Sequence, residues 1–192
     1  MEKKPIILAS ASPRRKELLS GLGYPIEVVP SHADESFPPT LPLSKVPEYL
    51  AERKAEMLVG KFPTHVVVAA DTVVIVEEEI LNKPTDAAEA SQMLQKLSGK
   101  MHLVITGVCM CHEGKKELFS DVTEVYFKPL SPSEIDYYVH HYRPFDKAGA
   151  YGVQEWLGYV AVEKMVGSFY NVMGLPIHKV YEVLRHLIRL PE

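Results

Sequence analysis

At 192 residues with 46% hydrophobic side chains, the chain can bury a sizeable core as one large domain or two small lobes. A formal net charge of −4 and a pI near 6.1 argue against a surface built to coat nucleic acid or an anionic membrane. No apolar run approaches the roughly 18 residues of a membrane span, and the start, MEKKPIILASAS, lacks a signal-like apolar stretch, so the expected location is the cytoplasm.

Residues 5–10 read as a buried strand leading into a helix over 13–22 that turns Leu18, Leu19 and Leu22 to the core. Ser12 followed by Pro13 is an N-cap with proline at the first helical position, which leaves Arg14 and Arg15 in the first turn. Cations are disfavoured at that end of a helix, and a phosphate-like anion would resolve the conflict. The blander alternative is that both arginines are solvated or paired with Glu17, Glu2 or another surface acid. A strand is predicted over 25–30, followed by the acidic, proline-rich loop SHADESFPPTLPLS at 31–44, long enough to be functional. The helix predicted over 45–60 has Val46, Leu50 and Met57 marking an apolar side that Lys54 interrupts near Ala51 and Ala55. HVVVAADTVVIVEEEIL, residues 65–81, reads as one strand into Asp71 and a second leaving it.

Thr85 is the predicted cap of a helix over 86–98 that stops at Gly99. Residues 101–111 and 117–128 alternate like a hairpin around HEGKK, and Ser131, Pro132 and Glu134 spell a capping box for a helix to 142. Beyond Pro144, a loop-rich stretch precedes a strand over 158–165, and GLP at 174–176 starts a last helix to 189. Strands and helices interleave while at least one hairpin is antiparallel, so the expected class is α/β with a mixed sheet.

Ligands in α/β proteins sit at strand ends, and here LASASPRR and AADT carry polar residues inside apolar text. Asp71 interrupts an almost wholly apolar span, and burying a carboxylate costs several kcal/mol unless it is paired, metal-bound or at a solvent cleft. A tight turn in which Asp71 bonds its own backbone is the alternative. Asp34 and Glu35 in the long loop, Lys54, and Lys83 in LNKPTD complete a mixture of signs. As a set with the two arginines they suit a metal-bound polyphosphate, the carboxylates holding a hard divalent ion and the cations neutralising phosphate. Each alone is more often a solvated surface charge.

GKFPT at 60–64 and GKMHL at 99–103 lack the glycine spacing and the hydroxyl residue of a P-loop, and neither G-x-G-x-x-G nor G-x-S-x-G occurs. Cys109 and Cys111 share one face of a strand and read as buried free thiols rather than half of a zinc site. His140 and His141 read as a solvated helix end.

The motifs LASASPRRKELL at 8–19, AERKA at 51–55, AADT at 69–72, NKP at 82–84, MLQKLSGKMHLVITGV at 93–108, DKAGAYGVQ at 146–154 and GSFYNVMGLP at 167–176 together resemble the Maf family of nucleotide pyrophosphatases. The resemblance covers nearly the whole chain. It implies a Maf/Ham1-like, ITPase-like fold, a mixed, elongated sheet flanked by helices with two lobes around a deep cleft, forming one domain over 1–192. It also implies hydrolysis of nucleoside triphosphates to monophosphate and pyrophosphate with a divalent cation, Mg²⁺ or Mn²⁺. Carried over by position, Asp71 is the proton acceptor, and Arg14, Thr72 and Gln154 set base preference, a trio that resembles the subfamily acting on dTTP and UTP. Ser10, Ser12, Arg15, Lys54 and Lys83 fall at phosphate positions and Glu35 with Asp71 at the metal. QEWLGY after Gln154 departs from the commoner Gln-Gly. The partners implied are a small-molecule nucleotide and a possible homodimer, with neither nucleic acid nor membrane. Two other readings are a non-catalytic nucleotide sensor in cell division and a house-cleaning enzyme for modified pyrimidine nucleotides.

Overall fold

The computed structural model describes residues 5–188. The strands are β1 (Ile6–Leu8), β2 (Ile26–Val28), β3 (Val66–Val76), β4 (Glu79–Leu81), β5 (Met101–His112), β6 (Lys115–Phe127) and β7 (Val162–Val166). The helices are α1 (Pro13–Ser20), α2 (Val46–Val59), α3 (Ala87–Leu97), α4 (Pro132–Tyr142), α5 (Trp156–Ala161), α6 (Phe169–Val172) and α7 (Ile177–Leu187). Hydrogen bonding links the strands in the order β2-β1-β3-β5-β6-β7, with β4 paired to β3, so the α/β class with a mixed sheet is what forms. Two compact units share the chain: residues up to Asp71 with Thr106–Asp121 and the segment from Gly174 make one, and Thr72–Ile105 with Val122–Met173 make the other.

In the first unit, β1 runs parallel to both β2 and β3, with Ile6 opposite Ile26 and Val66, and Leu8 opposite Val28 and Val68. Parallel neighbours need crossover connections, which α1 and α2 supply. Successive strand residues point to opposite faces. Ile6, Leu8, Val66 and Val68 accordingly pack with Leu19 of α1 and Val180 and Leu184 of α7. Ile7, Ala9, Val67 and Ala69 pack with Ala51, Ala55 and Leu58 of α2. Burial on both faces is why these strands read as unbroken apolar runs.

In the second unit, the later half of β3 turns back into β4 with Val74 opposite Leu81, and β6 pairs antiparallel with β7, Val125 opposite Met165. The capping box forms as expected: the Ser131 hydroxyl accepts from the Glu134 N–H and the Glu134 carboxylate accepts from the Ser131 N–H.

Several expectations are corrected. β3 passes through Asp71 without a break, and its turn falls at Glu77 and Glu78, whose φ values are 48° and 63°. The Asp71 side chain is satisfied by an ion pair, so the backbone does not have to bend around it. Asp86, not Thr85, caps α3, its side chain accepting from the Glu89 N–H, while Thr85 donates to the Glu89 carboxylate. Met57 is 51% exposed. The buried stripe of α2 centres on Ala51, Lys54 and Leu58, and at 100° per residue Met57 lies about 90° from that centre. Residues 158–161 belong to α5, so β7 starts only at Val162. Glu2 and the expected helix end at 189 lie outside the described residues.

Candidate functional site

Lys54 is the one charged residue in the buried stripe of α2 and Asp71 the one charged residue of β3, and they meet. Lys54 Nζ donates to Asp71 Oδ1 at 2.5 Å and lies 2.7 Å from Glu35 Oε1. The Lys54 and Asp71 side chains are 11% and 13% exposed, whereas Glu35, from the loop after β2, is 55% exposed. Ions removed from water cost several kcal/mol each unless paired, and the pairing is what allows the Lys54 and Asp71 side chains to place charge here. The turn alternative for Asp71 is thereby excluded.

Arg15 joins this cluster from the first turn of α1. Its Nε donates to the Gly174 carbonyl at 2.8 Å and its Nη1 to Ser10 Oγ at 3.3 Å. Burial lowers its pKa, the Asp71 carboxylate works the other way, Arg14 lowers it further and Glu35 raises it, so these four groups share one electrostatic neighbourhood. The guanidinium remains charged. Arg15 and Lys54 therefore both act on the Asp71 carboxylate. Ser12 caps α1, its Oγ accepting the Arg15 N–H at 3.4 Å, and its own N–H donates to Ser10 Oγ at 3.2 Å. With both lone pairs of the Ser10 hydroxyl engaged, what Ser10 presents to a ligand is its O–H donor. The Ser12 cap and the Arg15 guanidinium thus meet at the Ser10 hydroxyl at the N-terminus of α1.

The second unit holds the rest of the predicted set. Thr72 follows Asp71 on β3, Lys83 is exposed between β4 and α3, and Gln154 precedes α5. Gln154 Oε1 is buried and has no hydrogen-bond partner among the described residues. Its backbone carbonyl accepts from the Tyr159 hydroxyl at 2.7 Å. Around it the Tyr138 hydroxyl donates to Glu155 Oε2 and accepts the Gly152 N–H at 2.9 Å, and Lys147 Nζ lies 3.1 Å from Glu155 Oε1 and 2.7 Å from Asp146 Oδ1. Burial first, and the bond to Glu155 second, push the Tyr138 phenol pKa well up.

Sequence reasoning missed Tyr138, Lys147 and Glu155, although the three charges inside DKAGAYGVQE were a signal that could have been followed. It also missed the Gly174 carbonyl, which lies 159 residues from Arg15 and gives no local sign.

A family model described as Maf-like protein matches residues 5–187. The chain belongs to the Maf-like family. A dTTP/UTP pyrophosphatase of Cytophaga hutchinsonii is 49% identical to this Maf-like chain over 182 residues, covering 95% of this chain and 84% of the relative. One of Porphyromonas gingivalis is 50% identical over 190 residues, 96% and 95% of the two chains. One of Phocaeicola vulgatus is 48% identical over 190 residues, 97% and 98%. Among solved structures, the Staphylococcus aureus Ham1 protein aligns with a TM-score of 0.46 at 16% identity, covering 65% of this chain and 72% of that one.

Glu35 and Asp71 offer the carboxylate oxygens that a hard divalent cation takes, and an ammonium already sits between them. Among the described residues no group of three or more His, Cys, Asp or Glu is arranged to hold a metal, so further ligands would come from phosphate and water. Cys109 and Cys111 are buried free thiols, and no helix among the described residues is long and apolar enough to cross a membrane.

Proposed function

We propose that this Maf-like chain hydrolyses dTTP and UTP to the nucleoside monophosphate and pyrophosphate. The observation that carries this is the Asp71 carboxylate, 13% exposed and fixed by Lys54 in the electrostatic neighbourhood of Arg15, in a chain sharing about half its residues with proteins named dTTP/UTP pyrophosphatase. Asp71 accepts a proton from the attacking water; among the described residues its carboxylate takes one hydrogen bond, from Lys54, which leaves the other oxygen for that task. Arg15, Lys54, Lys83 and the hydroxyls of Ser10 and Ser12 bind phosphate oxygens and stabilise the charge that grows on departing pyrophosphate. Glu35 and Asp71 would hold a divalent cation, Mg²⁺ or Mn²⁺, which when bound neutralises phosphate charge and polarises the bond that breaks.

Base choice falls to Arg14, Thr72 and Gln154. A buried acceptor without a partner costs about 1–3 kcal/mol, and the N3–H of uracil or thymine would satisfy Gln154 Oε1, whereas N3 of cytosine is itself an acceptor. A cytoplasmic location and a small-molecule partner go with this activity. So does action by 1–192 as one domain, supported by a single family model running through both units.

The test is pyrophosphate release from dTTP, UTP, CTP, GTP and 7-methyl-GTP with Mg²⁺ or Mn²⁺. Turnover concentrated on dTTP and UTP is expected. Higher efficiency on modified pyrimidine triphosphates would make the role house-cleaning, and binding without release would make the chain a nucleotide sensor and overturn the proposal.

A further inference from the structure

The segment 152–155 is held at three points that have no part in proton transfer or phosphate binding. Tyr138, buried on α4, uses one hydroxyl twice: it accepts the Gly152 N–H at 2.9 Å and donates to the Glu155 carboxylate. The other Glu155 oxygen lies 3.1 Å from the ammonium of Lys147, whose side chain is 9% exposed and which also reaches Asp146 Oδ1. Tyr159 donates to the Gln154 carbonyl at 2.7 Å. Gly152 completes the lock, because a Cβ there would sit 2.8 Å from Glu155 Cδ and 3.1 Å from Lys147 Cε. The polar side chain of Gln154 is left out of this network, its Oε1 buried and unpartnered among the described residues.

A core that merely needed filling would not spend a carboxylate, an ammonium and a phenol on four residues. Buried ionic networks cost desolvation and are best attested where they fix one register against alternatives. Here the register fixed is that of the residue flanked on both sides by the network. We infer that Glu155, held by Tyr138 and Lys147, is a positioning residue that fixes the Gln154 carboxamide for reading the pyrimidine base. This rests on the base-reading role proposed above for Gln154. It does not touch the base; it determines where the acceptor stands when the base arrives.

The experiment compares kcat and KM for UTP and CTP in the full chain and in Tyr138→Phe, Glu155→Gln, Glu155→Ala and Gln154→Ala, with thermal unfolding followed for each. Tyr138→Phe and Glu155→Ala should lower the UTP-over-CTP ratio of kcat/KM about tenfold, chiefly through KM for UTP, since a displaced acceptor weakens ground-state and transition-state binding alike. Glu155→Gln keeps an acceptor for the Tyr138 hydroxyl and should recover most of the ratio. An unchanged ratio in folded Tyr138→Phe, with Gln154→Ala losing it, would overturn the positioning role alone. An unchanged ratio in Gln154→Ala would overturn the base-reading role and this inference with it.

Discussion

Lys54 of α2 and Asp71 of β3, 17 residues apart in the chain, form a direct 2.5 Å ion pair with both side chains almost out of solvent. Removing one partner strands the other charge. Lys54→Met should lower unfolding free energy by about 3–5 kcal/mol. Lys54→Met combined with Asp71→Asn should cost clearly less than the two single changes added together. Urea unfolding of the four proteins measures the coupling, and strict additivity would mean that the pair is not a buried unit.

His102 makes the acid limb of stability predictable. It is 1% exposed, bonded through Nε2 to the Tyr151 hydroxyl at 2.7 Å and packed edge-on against Phe127. Burial lowers its pKa from 6.5 to about 4. Below 6.5 the unfolded chain takes up a proton that the folded chain refuses, so this contribution is complete above that pH and is lost between 6.5 and about 4. The loss is roughly 3 kcal/mol at the lower end. In His102→Gln the slope of unfolding free energy against pH across that window should flatten; an unchanged slope would assign the acid sensitivity elsewhere.

Gly107 on β5 is set by contact rather than by conformation. An added Cβ would overlap backbone atoms of Pro47 and Glu48 at the start of α2. Backbone cannot rotate away as a side chain does, so Gly107→Ala should cost about 3 kcal/mol or more. Chemical denaturation checks this, and a loss below 1 kcal/mol, roughly the strand propensity range, would show that α2 can shift.

Ser131 tests a local device without touching the candidate site. Ser131→Ala removes the acceptor for the Glu134 N–H and should cost about 1 kcal/mol, lowering Tm by roughly 2–4 °C. Pyrophosphate release should be unaltered. A loss of turnover at unchanged stability would mean that the capped N-terminus of α4 itself bears on the chemistry.

These cases show where sequence was sufficient. The Ser12-Pro13 start of α1 and the Ser131-Pro132-Glu134 box of α4 are local hydrogen-bond patterns, and both form as read. That Asp71 and Lys54 each need a compensating partner was legible because each charge breaks an apolar run. Their mutual contact was not, since pairing across α2 and β3 depends on packing. The unbroken course of β3 through Asp71 was misread for the same reason: local rules see a turn-forming residue, while the ion pair that keeps it in the strand comes from another element. Lys147 and Glu155 look solvated in sequence, and only the fold brings them onto Tyr138.

The most direct test of the central claim is pyrophosphate release from dTTP and UTP by the wild-type chain and Asp71→Asn side by side, with folding of both verified. Asparagine keeps the shape and an acceptor for Lys54 but cannot take a proton from water. The account predicts a fall in kcat of about 10²-fold or more on both nucleotides. Near-normal turnover by folded Asp71→Asn would contradict it.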